Sequence, residues 1–204
     1  MKLFYSPGAC SLAAHIVSRE IGIPLELEAV DLQTKQTRSG ADFLAINPKG
    51  YVPALLTADD AVLTENVAIL HYLASFASGH DLVPDRSDPR YYRLLEWLGL
   101  INSEIHKAFA PLWNADNPPS LRQSARATVE KWFGFLDRHL SNQPYLMGDR
   151  FSLADAYCFS VVNWSGFLAI DLAPFPDLQR YQRAIAARPA VQIAMAAEGL
   201  AAAA

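Results

Sequence analysis

Cys10 follows a short aromatic run, Lys2–Tyr5, and the turn-forming residues Ser6-Pro7-Gly8-Ala9. It opens a stretch in which Leu12, Ala13, Ile16 and Val17 recur at helical spacing. A sulfur at the start of a helix meets unpaired N–H groups and the positive end of the helix dipole, and both favour thiolate over thiol. Such a thiolate can attack an electrophile or hold a thiol or disulfide ligand. A lone cysteine is also commonly an inert core residue, so position alone leaves both readings open.

Three further segments carry polar or conformational chemistry. In Tyr51-Val52-Pro53-Ala54-Leu55 a proline opens a strand just after Gly50. A cis Val52–Pro53 bond would present the Val52 N–H and C=O to an extended peptide. A trans proline at a strand start is the commoner case. In Leu63-Thr64-Glu65-Asn66 a strand gives way to a helix. The helix amides there suit a carboxylate and the Glu65 side chain suits an ammonium group; ordinary N-capping by Thr64 is the plainer reading. Gly99, Ser103, His106 and Ala110 share one face of a helix, away from the apolar stripe Leu94, Leu98, Ile101 and Ile105. That face is either a cleft wall or a solvated surface. Near a helix C-terminus, His106 is expected to hold its proton more readily.

The remaining candidates are structural. Phe151-Ser152-Leu153-Ala154-Asp155 reads as a capping box in which Asp155 replaces the usual Glu or Gln. Cys158 lies in an apolar helix. His15, His71, His80 and His139 lack partners at metal-ligand spacing, so no metal site is expected.

The elements that must position these residues change in rhythm along the chain. Roughly the first 80 residues read as β-α-β, a polar connector over Asp31–Tyr51, and then β-β-α. The strands are Lys2–Tyr5, Leu25–Val30, Pro53–Leu56 and Ala61–Leu63. The helices run from Cys10 to about Ile21, where Gly22 caps the end, and from about Asn66 to Ala77. His80–Pro89, rich in Asp and Pro, is a linker. Beyond it the pattern is all helical, from Arg90 to about Leu112, Ser120–Leu140, Ser152–Leu168, Asp177–Arg188 and Ala190–Ala197. Ser152–Leu168 is apolar all round, as a buried central helix is. The alanine-rich tail from Gly199 is expected to fray.

Composition narrows the function classes. The chain has 204 residues, is 51% hydrophobic and 19% charged, and carries a net charge of −4. It lacks the basic footprint of a nucleic-acid binder and the polybasic patch of a membrane binder. No stretch reaches the roughly 18 apolar residues that span a bilayer, and the N-terminus does not read as a signal peptide. A cytoplasmic protein is expected, with Cys10 and Cys158 as thiols.

Taken in order, six segments resemble the soluble glutathione transferases, and among them the bacterial beta class. They are Pro-Gly-Ala-Cys-Ser-Leu at 7–12, Asn-Pro-Lys-Gly at 47–50, Val-Pro-Ala-Leu at 52–55, Leu-Thr-Glu at 63–65, Glu-Ile-His-Lys at 104–107 and Phe-Ser-Leu-Ala-Asp-Ala at 151–156. The resemblance runs from Met1 to about Gly199. It implies a thioredoxin-like glutathione-binding domain over 1–80, a linker over 81–89 and an all-helical domain over 90–204 that carries the second-substrate pocket. It also implies a homodimer, glutathione as co-substrate and no further cofactor.

The resemblance makes Val52–Pro53 cis and implies glutathione contacts at Cys10, Lys35, Val52, Pro53, Glu65, Asn66, Ser103, Glu104, His106 and Lys107. Cys10 and His106 would be catalytic, near the glutathione sulfur. Lys35 would pair with a glutathione carboxylate, and Glu65 with Asn66 would hold the γ-glutamyl end. Phe109, Trp113 and Trp164 are expected to wall the pocket for a small hydrophobic electrophile. The chain departs from the family pattern in three places: Gly99 stands where Asn is frequent, Asn66 where Gly or Ser is, and Ser103 where Thr is. The implied activity is conjugation of the glutathione thiolate to electrophiles. The alternatives are glutathione-dependent disulfide exchange through Cys10, or binding of glutathione or apolar ligands without turnover.

Overall fold

The computed structural model describes residues 1–77 and 81–200. The chain divides into two compact units, Met1–His80 with Ala186–Ala204, and Asp81–Ile185. The first unit opens with β1 (Lys2–Tyr5), α1 (Leu12–Glu20), β2 (Glu26–Asp31), β3 (Gln36–Thr37) and α2 (Phe43–Ile46). It continues with β4 (Ala54–Leu56), β5 (Val62–Thr64) and α3 (Asn66–Ala74). The five strands form one sheet in the order β3-β2-β1-β4-β5. In the middle strand β1, Leu3 pairs with Leu27 of the parallel β2 and with Leu55 of the antiparallel β4.

Phe4, Val30, Phe43, Val52 and Ala54 form one buried cluster, with the Phe4 and Phe43 rings 5.8 Å apart. Side chains of this size contribute about 1.5–3 kcal/mol each when buried. Val52 is therefore held by packing as well as by the chain.

Several boundaries differ from the sequence expectation. The first helix starts at Leu12, two residues after Cys10. The Leu12 amide bonds to Ala9 O and the Ala13 amide to Cys10 O, tighter turns than an α-helix makes. Gly22 does close the helix, at φ +70, with its own amide on Arg19 O and the Ile23 amide on Ser18 O. The connector is not featureless, since β3 pairs antiparallel with β2 and α2 is capped by Asp42.

The second unit begins with α4 (Arg90–Leu100), which runs on through a π-helical turn, Ile101–Ile105, into α5 (His106–Ala108) and a 3-10 turn, Ala110–Leu112. Then come α6 (Pro119–Leu140), α7 (Leu153–Val162), α8 (Trp164–Phe167) and α9 (Pro176–Ala186). Every residue of α7 is buried, so its first amides must be capped by protein. The Leu153 amide donates to Leu82 O and the Asp155 amide to Ser152 O, and in the expected capping box Asp155 reaches back: the Ser152 amide donates to Asp155 Oδ2 at 2.8 Å, and Ser152 Oγ does so at 2.7 Å. Asp155 also receives the Leu146 amide and the Tyr181 hydroxyl. Burial pushes the Asp155 carboxyl pKa up, and these four donors oppose that shift.

The last helix, α10 (Pro189–Ala197), was expected in the helical domain but belongs to the first unit. It lies on α1, Arg188 forms a two-pronged ion pair with Glu20, and Glu198 meets His15. Where fraying was expected from Gly199 onward, the Leu200 amide closes the helix on Met195 O at 2.9 Å. The remaining tail residues 201–204, and His80 of the expected linker, lie outside the described residues. No described helix is long and apolar enough to cross a membrane.

Candidate functional site

In the first unit, β1 ends in the turn that carries Cys10, and two other segments close on that turn. The Cys10 Sγ donates to the Val52 carbonyl at 3.4 Å, and the Val52–Pro53 bond is cis. A sulfur that donates its proton to a carbonyl is a thiol, because a thiolate has nothing to donate. The carbonyl of Val52 therefore faces Cys10, where the sequence reading left both backbone groups of Val52 outward. Cys10 itself is 9% exposed, at the edge of burial. On its other side Asn66 Nδ2 donates to the Cys10 carbonyl at 3.0 Å, while the buried Asn66 Oδ1 has no partner among the described residues.

The loop that delivers Val52 is held from within. Asn47, almost fully buried, donates from Nδ2 to Tyr51 O at 2.7 Å and accepts the Lys49 amide on its Oδ1. Gly50 has φ +67, and a Cβ there would lie 3.1 Å from Leu44 Cδ2, so a side chain would strain the turn. Lys35 Nζ donates to Gly50 O at 3.0 Å and lies 5.7 Å from the centre of the Tyr51 ring. Among the described residues no carboxylate pairs with Lys35.

At the start of α3, Thr64 does not cap the helix as the plainer reading had it. Glu65 takes the cap position at φ 71, ψ 122, with no side-chain cap, and Thr64 Oγ1 accepts from Lys49 Nζ at 2.8 Å. Those dihedrals lie outside the left-handed well that non-glycine residues tolerate, and such outliers gather at functional sites. The Glu65 carboxylate is exposed and pairs with Lys49 Nζ at 2.7 Å. An exposed lysine ammonium thus occupies the group expected to receive a ligand's ammonium.

The turn before Cys10 has a support that sequence reasoning missed. Glu198 Oε2 accepts the Gly8 amide at 3.0 Å, and Oε1 meets His15 Nδ1 at 3.1 Å. Arg19 Nε donates to His15 Nε2, so the His15 proton sits on Nδ1 and points to Glu198. The available signal was that Glu198 is the one acidic residue after Asp177, at the end of an otherwise apolar helix. His15 had been set aside for want of a metal partner; its partner is this carboxylate.

In the second unit, His106 begins α5 directly after the π turn. Its Nδ1 lies 2.8 Å from the Tyr157 hydroxyl, which donates to Asn102 Oδ1 at 3.0 Å. Its ring meets Trp164 edge to face, with centroids 4.8 Å apart. The expectation that His106 holds its proton is overturned: burial, with the Lys107 charge second, lowers its pKa to about 4. Desolvation outweighs the dipole of the helical run that ends just beyond His106.

Of the aromatic residues expected at the pocket wall, Phe109 is fully buried, Trp164 is nearly so, and Trp113 is half exposed. Phe109 and Trp113 both pack edge-on against Trp164. Phe109 backs Trp164, which leaves Trp113 as the open surface. The π turn also breaks the single α-helical face expected for Gly99, Ser103, His106 and Ala110. The Ser103 hydroxyl is spent on the Gly99 carbonyl at 2.9 Å, while Glu104 and Lys107 are exposed.

Two family models match the chain. "Glutathione S-transferase, N-terminal domain" covers residues 8–75, and "Glutathione S-transferase, C-terminal domain" covers residues 100–189. The chain is 42% identical to glutathione S-transferase GstA of Escherichia coli O157:H7, over 98% of this chain and all of that protein. Among solved structures, a beta class glutathione S-transferase of Sphingomonas chungbukensis superposes with a TM-score of 0.95 at 42% identity. A sphingomonad glutathione S-transferase complexed with glutathione superposes with a TM-score of 0.94 at 43% identity. Each of the two alignments covers 98% of this chain and 100% of the other.

Proposed function

The chain belongs to the glutathione S-transferase family, an enzyme family, and from that premise we propose that it conjugates the glutathione thiolate to small hydrophobic electrophiles. The observation that carries the reading is the cradle in the first unit. There the Cys10 thiol, the Val52 backbone beside a cis proline and the start of α3 are fastened to one another. A relative of 43% identity was solved with glutathione bound.

In this reading the Val52 backbone pairs with the cysteinyl part of glutathione, beside Pro53. Glu65 exchanges Lys49 for the γ-glutamyl ammonium, with Asn66 alongside. Lys35 takes a carboxylate. Family resemblance further assigns Ser103, Glu104, His106 and Lys107 to glutathione, and Trp113, with Trp164 and Phe109 behind it, to the electrophile. A cytoplasmic location and a homodimer are proposed on the same ground.

A free cysteine thiol has a pKa of about 8.5, so near pH 7 only a few per cent is ionised. Lowering the glutathione pKa by about two units makes thiolate the main form and is worth about 2.7 kcal/mol. Two sulfurs would compete for such stabilisation. Because Cys10 rests as a thiol on the Val52 carbonyl, it leaves the anionic role to glutathione and can donate its own proton to that sulfur. The neutral His106 imidazole, too weak a base to keep the proton, can accept a hydrogen bond from the substrate thiol, whose proton passes to solvent. The sulfur then forms a bond to carbon as the leaving group departs with its electron pair.

The test is calorimetry with glutathione, followed by turnover with a chlorinated nitroaromatic and with a glutathione mixed disulfide, for the wild type and Cys10→Ala. Conjugation by the wild type is expected. A variant that keeps conjugation and loses disulfide exchange assigns Cys10 to redox chemistry, and one that loses conjugation assigns it to the sulfur site. Tight glutathione uptake with no product from either substrate would replace the proposal with a binding role. No uptake at all would remove it.

A further inference from the structure

Building on the reading of His106 as a group of the sulfur site, we propose that Asn102 and Tyr157 are positioning residues. Together they hold the His106 imidazole with its proton on Nδ1 and its lone pair on Nε2. The direction of the chain follows from what each atom can do. An amide oxygen only accepts, so Asn102 Oδ1, 3.0 Å from the Tyr157 hydroxyl, takes that group's single proton. The Tyr157 oxygen is then left to accept from His106 Nδ1, 2.8 Å away. A neutral imidazole carries one proton, so Nε2 becomes the acceptor.

The scaffold fits this role. Tyr157 is fully buried, and a buried hydroxyl must have its hydrogen bonds made. It stands on α7 two residues after Asp155, whose four hydrogen bonds anchor the start of that helix. Asn102 lies in the π turn, which closes with the His106 amide on the Ile101 carbonyl. The widened turn brings Asn102 and His106 to one hydroxyl, and π turns inside helices recur at functional sites. Trp164 blocks rotation of the ring from the other side, edge to face at 4.8 Å. The ring is neutral at pH 7, since burial holds its pKa near 4, so its tautomer decides which atom can accept a hydrogen bond from the thiol.

Two-bond 15N–1H correlation spectra of the labelled full-length chain at pH 7 test the assignment, with the His106 signals identified by their loss in His106→Asn. The wild type is expected as the Nδ1–H tautomer. Asn102→Asp keeps an acceptor and keeps that tautomer. Asn102→Leu and Tyr157→Phe admit the Nε2–H form and lower kcat for conjugation by about tenfold or more, with KM for glutathione little changed. A wild-type ring in the Nε2–H form overturns the proposal, because it means that the Asn102 amide is turned the other way. So do Asn102→Leu and Tyr157→Phe chains that keep the wild-type tautomer. The wild-type spectrum alone decides if a variant fails to fold. An Nδ1–H ring that responds to the variants in a chain with no conjugating activity would uphold the tautomer and overturn the assigned reaction instead.

Discussion

The Cys10 turn and the His106 turn hold their reactive atoms by different means. Cys10 is held mainly at backbone groups: its sulfur meets the Val52 carbonyl, and its own carbonyl receives the Asn66 side chain and the Ala13 amide. His106 is surrounded by side chains, with the Tyr157 hydroxyl on Nδ1, Asn102 behind that hydroxyl and Trp164 across the ring. Backbone groups cannot be exchanged by mutation and accept or donate in fixed directions, so under the proposed function the first turn would present a constant surface to glutathione. Side chains can be exchanged singly, so the second turn is where the protonation of His106 can be tuned.

The comparison breaks most severely at the base of α7. Asp155→Ala would leave the Leu146 and Ser152 amides and the Ser152 hydroxyl without their acceptor, and the Tyr181 hydroxyl with only the long 3.5 Å contact to the residue 155 carbonyl. Unmet buried donors cost about 1–3 kcal/mol each, though not additively. A loss of about 3–5 kcal/mol is expected, a large share of the 5–15 kcal/mol that typically holds a domain. Urea denaturation measures it. A loss below about 1 kcal/mol would mean that α7, and Tyr157 with it, is held by something other than the capping box.

The same contrast explains what was legible in the sequence. The Gly22 helix end and the Ser152–Asp155 box are local: each needs a few adjacent residues and leaves a mark in their types, whereas at Val52–Pro53 the residues favoured trans and only the family resemblance implied the cis bond that is found. Helix positions in the second half also showed, because Leu94, Leu98, Ile101 and Ile105 keep their apolar spacing even through the π turn. Contacts between distant residues did not show. Asn66 reaches Cys10 across 56 positions, Tyr157 reaches His106 across 51, and Glu198 reaches Gly8 across 190. None of these pairs has a spacing to betray it. The strand β3 is only two residues long and polar, too short for any alternation to register. His106 was misjudged because a dipole is inferred from position, whereas desolvation depends on neighbours such as Trp164 and Tyr157 that only the fold supplies.

That desolvation sharpens the comparison through pH. The folded pKa of His106 is about 4, against 6.5 for an unperturbed histidine. Above pH 6.5 the ring is neutral folded or unfolded and contributes no difference. As pH falls below that value the unfolded chain takes up the proton first, so stability is lost progressively until about pH 4, below which the penalty is complete. The penalty is about 2–3 kcal/mol. His106→Asn removes it, so the gap in unfolding free energy between variant and wild type should move by that amount in the variant's favour between pH 7 and pH 4. Paired urea titrations at the two values measure the shift. A gap that does not move would show a solvated imidazole, and the side-chain enclosure of His106 would fall.

The smallest expected effect lies at the backbone-held turn. Asn66→Ser removes the Nδ2 hydrogen bond to the Cys10 carbonyl, a loss of about 1 kcal/mol for a typical bond. It also removes the buried Oδ1, which has no partner and so carries an unrecovered desolvation cost of similar size. The Cys10 carbonyl keeps the Ala13 amide, so it is not orphaned by the change. The two terms oppose each other, and the net change in stability should stay within about 1 kcal/mol. A loss of 2 kcal/mol or more in urea would mean that Oδ1 is satisfied after all, since only the bond would then have been lost. In that case the Cys10 turn would depend on a side-chain network as His106 does, and the difference between the two turns would narrow.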